Sequence, residues 1–523
     1  MSDISQQLSD LSPEQIEFLR RRLKKALPQG HAFPPLLRIG RDRPDFPLSS
    51  TQRQLWFQDQ LLHGDSLSNV GILVRAAGHL DRPLFGRSIA EIVRRHEVLR
   101  TTFVTVGQEP RQVIAPALLI PLREIDLRGL AETRREPEAF RQAAELAFQP
   151  YDLARGPLLR TALFRLAEDQ SFLLVGFHHI VSDGWSFGVF VRELGAIYRA
   201  LARHQPHGLP EHEIQYADFA HWQRALLETD ALARQLTWWK EALAGAPPLL
   251  DLPTDRPRPP VLGSRARKEH LLVSPAVTEA MAGLADRCSA SPFMVWLAAF
   301  QALLLRWAGQ EDFLVGTPVA SRRSKELEGL IGMFVNTLPL RARPSPQVGF
   351  RAALETVRET VLGAFANQDL PLSKLIEALR PERDPSHTVL FQELFAFQNF
   401  RLEVEELPGV RLAPLDWDVA RSPFDLTLFL TEEPRGMLAA FRYNLDLFDS
   451  ATVRAIADGL EALLRSILQD PERPLADLDL LGEERRRQLL SGDAGGRRLT
   501  VRGFRVQAEE VERALRGLPG VAG

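Results

Sequence analysis

A proline-rich stretch near the middle of this 523-residue chain limits its fold more than any other feature. Prolines crowd the segment 246–263, at Pro247, Pro248, Pro253, Pro257, Pro259 and Pro260. Proline fixes φ and lacks a backbone N–H, so this segment can form neither a regular helix nor a central strand. We therefore predict a connection over residues 246–264 that joins two units of similar size, 45–245 and 265–480.

The charge balance and the cysteine content exclude several classes of protein. Lys plus Arg number 64 and Asp plus Glu number 67, so the net charge of −3 provides no basic footprint for nucleic acid or a membrane surface. Cys288 is the single cysteine, which excludes a disulfide within the chain and a cysteine-rich zinc site. Because no apolar signal core or membrane-length apolar run is present, we expect a cytoplasmic protein.

Both units carry strand and helix patterns. Residues 172–177 form a continuous apolar run typical of a buried strand, and apolar residues recur at helical spacing over 187–201. Further elements are predicted in the second unit, with helices at 292–307 and 351–366 and strands at 313–319 and 425–430. Residues 1–44 should supply an N-terminal helix, from the Ser12 cap to Leu27, followed by a linker. The patterns predict an α/β protein with two lobes and a cleft between them.

A polar turn separates the predicted strand at 172–177 from the helix that follows. It contains His178, His179, Asp183 and Gly184. A side chain at the end of a strand is rigidly held and faces the space beyond the sheet. A neutral imidazole there can accept a proton from an attacking amine, a nearby carboxylate can orient the imidazole or pair with an arginine, and glycine leaves room for a substrate. Two polar residues with satisfied hydrogen bonds are the alternative, and an isolated His-His pair would favour it.

The surrounding sequence supports a catalytic interpretation. The pattern His-His-x-x-x-Asp-Gly resembles the signature of the nonribosomal peptide synthetase condensation superfamily. Segments resembling the family's other motifs occur in order over residues 45–480, and together with the signature they are 49–56, 95–103, 178–186, 216–223, 331–340, 367–371 and 383–386. Two positions depart from the family pattern: Gln54 replaces the usual arginine before Leu-Trp, and Asn367 replaces the usual histidine of the sixth motif.

This resemblance implies a fold, a reaction and a set of partners. The fold would be that of chloramphenicol acetyltransferase, with two related lobes in a V and a reaction site midway along a central tunnel. Donor and acceptor carrier domains would each insert a phosphopantetheine arm, and the two thioesters would be joined through an amide bond. The chain itself would bind no cofactor and no metal. A first-in-protein or starter position, served by an upstream synthetase protein or by acyl-coenzyme A, is a further expectation.

The resemblance also assigns roles to individual residues. His179 would be the catalytic histidine, while His178, Gly184 and Asp183 would be supporting residues. Asp183 would pair with an arginine of the second lobe; Arg322 is the better match and Arg323 the alternative. Residues of the tunnel or the acceptor side would include Trp185, Ser186, Asn336 and Asn367.

Other functions share parts of this pattern. Gly184-Trp185-Ser186-Phe187-Gly188 satisfies the Gly-x-Ser-x-Gly elbow of serine hydrolases, although Ser186 also suits the N-terminal cap of the next helix. An epimerisation domain has the same His-His-x-x-x-Asp-Gly motif, and a docking platform without activity can have the same fold. A freestanding acyltransferase that uses a soluble amine or alcohol is a further alternative.

The C-terminal tail follows a linker predicted at 481–500. Residues 501–523 resemble part of the small subdomain of adenylation domains, and Arg502, Gly503 and Phe504 carry the match. The sequence has no glycine-rich phosphate loop, so we expect no amino-acid activation by this chain. A short strand and one helix are predicted over residues 500–523.

Overall fold

A computed structural model describes residues 33–62, 66–398, 404–416, 420–481, 498–501 and 504–507. The predicted N-terminal helix and the predicted helix of the C-terminal tail lie outside these ranges. Among the described residues no single helix is long and apolar enough to cross a membrane. The pair α7 (Pro275–Arg287) and α8 (Pro292–Ala308) would reach that length and apolar composition only together, and a bend of 106° separates the two helices.

The first half of the chain contains helices on both faces of a sheet. Its helices are α1 (Ser50–Leu62), α2 (Arg82–Arg95), α3 (Glu132–Ala147), α4 (Gly184–Ala202), α5 (Tyr216–Leu226) and α6 (Asp230–Ala242). Its strands are β1 (Phe46–Pro47), β2 (Asn69–Gly78), β3 (Thr101–Val106), β4 (Glu109–Ile114), β5 (Leu122–Asp126), β6 (Leu159–Arg165) and β7 (Gln170–His178). Residues of β7 alternate between two hydrophobic clusters, so both faces of this strand are covered. That burial explains the continuous apolar run of the sequence.

The second half is built around a larger sheet. Its remaining helices are α9 (Lys325–Glu328), α10 (Phe350–Ala366), α11 (Leu372–Leu379) and α12 (Ser450–Gln469). Its strands are β8 (Arg265–Val273), β9 (Phe313–Val319), β10 (Asn336–Ala342), β11 (Glu393–Gln398), β12 (Glu405–Leu407), β13 (Val410–Pro414), β14 (Ala420–Arg421), β15 (Leu426–Glu433) and β16 (Gly436–Asn444). A separate hairpin of β17 (Arg498–Val501) and β18 (Phe504–Gln507) lies in the tail.

Sheet pairing links the two halves. In the first half the order is β12-β13-β2-β7-β6-β5, with a smaller sheet β1-β4-β3, and in the second half the order is β10-β9-β11-β15-β16-β8-β14. Strand β13 pairs antiparallel with β2, and its Leu412 lies opposite Ala76. Residues 405–414, which belong to the predicted second unit, therefore complete the sheet of the first half.

The structure confirms the elements that carry strong local patterns. The strand predicted at 172–177 lies within β7, and the strand predicted at 313–319 is β9. The helices predicted at 187–201, 292–307 and 351–366 lie within α4, α8 and α10, respectively. Residues 246–264 contain neither helix nor strand, as the prolines predict. Helix α8 begins at the Ser291 cap and ends at Gly309, whose φ of 66° suits glycine. Most residues of α8 are buried, so it forms the centre of the second core.

Candidate active site

His179 lies immediately beyond the last residue of β7, in a short 3₁₀ turn, and is half-buried. Its backbone N–H donates to the Ser68 carbonyl oxygen at 2.7 Å, which ties the turn to the chain just before β2. Its Nδ1 lies 2.9 Å from the carbonyl oxygen of Ser182. Since a carbonyl only accepts, Nδ1 carries the proton and Nε2 of the neutral ring has a free lone pair. Within the described parts of the chain, Nε2 has no hydrogen-bond partner.

The surroundings of His179 keep it neutral. Burial lowers the pKa of its imidazole, and the bond to Ser182 and the charge of Asp183 oppose that shift without reversing it. The positive charge of Arg442 lowers the pKa further. At neutral pH the ring is therefore a base with one accessible nitrogen.

His178 has a different environment. It is buried, and its Nδ1 accepts a hydrogen bond from the Ile180 backbone N–H at 3.1 Å. Burial, with the neighbouring charge of His179, lowers the pKa of His178 to about 3. The ring packs edge-on against Tyr151 at 6.1 Å between centroids. These contacts hold the turn in place. Nε2 of His178 is buried and has no hydrogen-bond partner among the described residues, so neither nitrogen is exposed to a substrate.

Asp183 is completely buried at the N-terminus of α4, where it caps the helix. One carboxylate oxygen accepts from the Ser186 N–H at 2.9 Å and the Ser186 hydroxyl at 2.7 Å. The other accepts from the Phe334 N–H at 3.1 Å. Arg322 of the second half donates to both oxygens, at 2.7 and 3.0 Å. Arg323 instead pairs with Asp369.

The neighbours of Asp183 also hold the two halves together. The Trp185 indole N–H donates to the Glu328 carbonyl at 2.8 Å, and the guanidinium of Arg322 lies 4.2 Å from the centroid of the Phe334 ring. Ser186 is buried, and besides its bond to Asp183 its hydroxyl accepts from the Gly332 N–H at 3.0 Å. No hydrogen bond in the described structure joins Ser186 to a histidine, so the serine-hydrolase alternative lacks its base. Gly184 is the first residue of α4 and is half-buried.

The two asparagines predicted on the acceptor side both bind backbone. Asn336 donates to the carbonyls of Gln368 and Leu370 at 3.0 and 2.9 Å, and its side-chain oxygen accepts from the Leu372 N–H at 3.0 Å. Asn367 donates to the Gly363 carbonyl at 2.9 Å. The Asn336 amide therefore fixes the segment between α10 and α11, and the Asn367 amide holds the last turn of α10.

Sequence reasoning missed a buried polar network beside α4. Glu193 accepts from Arg95 through both of its oxygens, at 2.9 and 3.0 Å, and its Oε2 lies 3.0 Å from His96 Nε2. His212 Nε2 lies 3.4 Å from Glu193 as well. Burial alone would raise the pKa of Glu193, but the bonds from His212, His96 and Arg95 hold it well below its usual range.

The grouping of His96, Glu193 and His212 is close enough to suggest a metal site. His96 Nδ1 accepts from the Ile331 N–H at 3.3 Å, so Nε2 of the neutral ring carries the proton that is donated to Glu193. The guanidinium of Arg95 already supplies a positive charge to the same carboxylate. These residues thus connect α2 and α4 with the second half of the chain. They do not fit a metal ion, because the carboxylate of Glu193 already faces the guanidinium of Arg95 and the N–H of His96. Arg95 and His96 belong to the second motif, and that membership is the sequence feature from which this network could have been predicted.

A further connection joins the first and fourth motifs. The Tyr216 hydroxyl donates to the Met333 carbonyl at 2.6 Å, and it lies 2.8 Å from the Ser49 hydroxyl. Burial raises the pKa of Tyr216 well above its usual range, so it stays a neutral donor. Gln52 donates to the Ile180 carbonyl at 3.1 Å and so connects α1 with the histidine turn. Residues of the first and fifth motifs thus contact the segment 178–186, and Tyr216 of the fourth motif joins these two motifs.

Two α/β halves that meet beside a histidine at a strand end define the chloramphenicol-acetyltransferase-like class of fold. Solved structures support this assignment. The X-domain from teicoplanin biosynthesis is 28% identical, with a TM-score of 0.77 over 86% of this chain and 100% of that chain. The first condensation domain of the calcium-dependent antibiotic synthetase has a TM-score of 0.72 at 24% identity, over 84% of this chain and 99% of that chain.

Sequence comparison identifies the family. The condensation domain model matches residues 43–490, so the chain belongs to the condensation-domain family of peptide synthetases. A linear gramicidin synthase polypeptide of Brevibacillus parabrevis is 44% identical over 89% of this chain. Phosphinothricin tripeptide synthetase PhsC of Streptomyces viridochromogenes is 41% identical over 94% of it. The aligned region spans only 9% of the first relative and 45% of the second.

Proposed function

We propose that this chain forms an amide bond between a donor acyl or peptidyl thioester and the amine of an acceptor aminoacyl thioester. The observation that carries the proposal is the hydrogen bond of His179 Nδ1 to the Ser182 carbonyl at 2.9 Å. That bond leaves Nε2 as a free base at the end of a strand, where a substrate can approach it. A neutral imidazole in this state is suited to an amine that must lose a proton as it attacks.

In the proposed reaction, the acceptor nitrogen attacks the carbonyl carbon of the donor thioester. A C–N bond forms, the C–S bond breaks, and the thiol of the donor arm leaves. Two roles for His179 fit this chemistry, namely removal of the amine proton by Nε2 and orientation of the amine with stabilisation of the tetrahedral intermediate. A thioester is already activated, so the step requires no nucleotide.

Positioning should supply much of the acceleration. Two thioesters held in line gain an effective concentration worth ~7–11 kcal/mol in well-oriented systems. Asp183 and Arg322 serve this purpose indirectly, because their buried ion pair joins the helix after His179 to the second half. Their proposed role is structural, since the Asp183 carboxylate makes no hydrogen bond to His179 within the described residues.

The proposed partners are donor and acceptor carrier domains, each with a phosphopantetheine arm as part of the substrate. Both an upstream carrier domain and acyl-coenzyme A fit the donor role. The reaction would be carried out by residues 45–480, which form two units joined at 246–264. The linker 481–500 and the tail 501–523 would take no part in it. For that tail we propose a remnant resembling the adenylation small subdomain.

A docking platform without activity is the second candidate. It is favoured by the likeness to the teicoplanin X-domain, which was solved in a complex with OxyB. The unpaired Nε2 of His179 favours catalysis instead, because a platform does not need a free base.

The test is an intact-mass assay with the chain and separately loaded carrier proteins. One arm offers an acyl-carrier donor, one offers acyl-coenzyme A, and both offer an aminoacyl-carrier acceptor. The acceptor should gain the mass of the acyl group, and the product amide should be released by thioesterase or base. Inversion of an aminoacyl stereocentre without transfer would support an epimerisation domain, and no change in either carrier would support a docking platform.

A further inference from the structure

Arg442 has no oppositely charged partner among the residues that the structure describes. It is half-buried in β16, and no hydrogen bond or ion pair to it occurs within the described residues. Its Nε is fully buried and has no acceptor. Burial lowers the pKa of the guanidinium to about 10, and no carboxylate counteracts that shift. Because buried polar groups are nearly always hydrogen-bonded, the buried Nε–H of Arg442 lacks an acceptor that a ligand could supply.

The strand register places Arg442 on the face opposite the core. Its neighbours Phe441 and Tyr443 are completely buried in the second hydrophobic core, and side chains alternate along a strand. Arg442 lies opposite Thr427 of β15 and Lys268 of β8, which share its face. This face of the sheet is thus distinct from the face covered by helices.

Further observations concern the position and the orientation of this guanidinium. Lys268, opposite Arg442 on this face, lies 3.2 Å from Asp416, which follows the strand β13 of the first sheet, so this face meets the first half of the chain. In agreement with that placement, the charge of Arg442 lowers the pKa of His179, which belongs to the first half. The guanidinium also lies 4.7 Å from the centroid of the Phe429 ring, a contact that restricts its orientation. A ligand of Arg442 would therefore be held near the base.

We infer that Arg442 is a specificity residue that binds a carboxylate on one of the two carrier-bound acyl groups. The inference rests on the proposed function. A planar guanidinium matches a carboxylate through two parallel hydrogen bonds, and such a bond strengthens where water is excluded. The carboxylate can come from the donor or from the acceptor, and the chemistry at Arg442 is the same in both cases.

The experiment compares acidic substrates with their amides. In the acceptor arm, glutamyl- and glutaminyl-carrier proteins, or aspartyl and asparaginyl ones, receive the same neutral acyl donor. In the donor arm, the same pairs are offered as N-acylated donors to a neutral acceptor. Single-turnover rates are measured for the wild-type chain, Arg442→Gln and Arg442→Lys. Arg435→Gln is the control, because Arg435 is exposed in the turn between β15 and β16.

The wild-type chain should prefer the acid over its amide by about 10-fold or more in one arm, as expected for a charge-assisted hydrogen bond. Arg442→Gln should lose that preference, because the acid is slowed far more than its amide, and Arg442→Lys should retain part of it. Arg435→Gln should match the wild type. Melting curves confirm that each variant is folded.

Two results would overturn the inference. One is transfer of neutral substrates by the wild type with no preference for an acid in either arm, which leaves the proposed function intact. The other is a folded Arg442→Gln variant that slows acidic and neutral substrates alike, because Arg442 would then serve the reaction as such. Absence of any transfer by the wild type would refute the proposed function and this inference with it.

Discussion

The guanidinium of Arg322 holds both carboxylate oxygens of Asp183, at 2.7 and 3.0 Å, although 139 residues separate them in the chain. Both side chains are almost fully buried, so water does not screen the pair. Asp183 caps α4 and follows His179 by four residues, while Arg322 follows β9 in the second half. The position of the candidate base therefore depends on contact between the halves.

Removal of one partner from this pair should destabilise the protein. We expect Asp183→Ala to lower the free energy of unfolding by ~3–5 kcal/mol, because the charge of Arg322 would stay buried without its partner. Urea denaturation measures the loss. Arg82→Ala is the control, since the Arg82–Glu124 pair is exposed and its loss should cost less than about 1 kcal/mol. Unchanged stability together with abolished amide formation would make Asp183 a catalytic residue instead.

Ser186 should be dispensable for the chemistry. Its hydroxyl binds Asp183 and the Gly332 backbone, so Ser186→Ala should keep most of the transfer rate and lose only about 1 kcal/mol of stability per bond. A fluorophosphonate probe followed by mass spectrometry should find no adduct. Stoichiometric labelling at Ser186 would restore the hydrolase interpretation.

His178 should make the stability of the fold depend on pH. Its pKa is about 3 in the folded chain and about 6.5 in an unfolded one, so the unfolded state binds the additional proton between these values. Stability from this group is complete above pH 6.5 and declines as the pH falls towards 3. His178→Gln should therefore reduce the slope of unfolding free energy against pH by up to ~1.4 kcal/mol per unit in this window. Equal slopes in urea titrations of both proteins would contradict the assignment.

The tail should not contribute to transfer. A chain that lacks residues 491–523 should form the amide at a rate near that of the full chain, and neither should catalyse ATP–pyrophosphate exchange with any amino acid. The hairpin of β17 and β18 is the part of the tail that the structure describes. Measurable exchange, or loss of all transfer by a folded truncated chain, would show that the tail has another role.

Local patterns predicted much of the fold, and the motifs predicted the centre of the site. The apolar run at 172–177 is continuous because β7 is buried on both faces. Burial of this kind can be predicted from the sequence of the strand itself. The pairing of β13 with β2 could not be predicted in this way, because the two strands are more than 300 residues apart in the chain. Such pairing produces no periodic pattern of apolar residues in either segment. The motif match predicts that Asp183 pairs with Arg322 or, as the alternative, with Arg323, and the tertiary structure distinguishes the two, because Arg323 pairs with Asp369.

Other features of the site depend on tertiary contacts alone. The motif pattern did not reveal that the Asn336 and Asn367 amides bind backbone carbonyls, since asparagine also suits a substrate contact. Arg442 lies in an ordinary strand pattern of alternating side chains, and only the absence of a partner in the described structure distinguishes it. Whether a charged side chain has a partner depends on residues that are distant in the chain, so the sequence around Arg442 does not reveal it.

A role of His179 in amide formation can be measured as single-turnover transfer between loaded carrier proteins. His179→Ala should fold like the wild type and form the amide ~10²–10⁴-fold more slowly, the range for loss of a positioned acid–base group. Stability of the variant is checked by thermal melting, and Arg435→Gln serves as the surface control. If a folded His179→Ala variant transfers the acyl group at a rate close to that of the wild type, His179 is neither the base nor the residue that orients the amine.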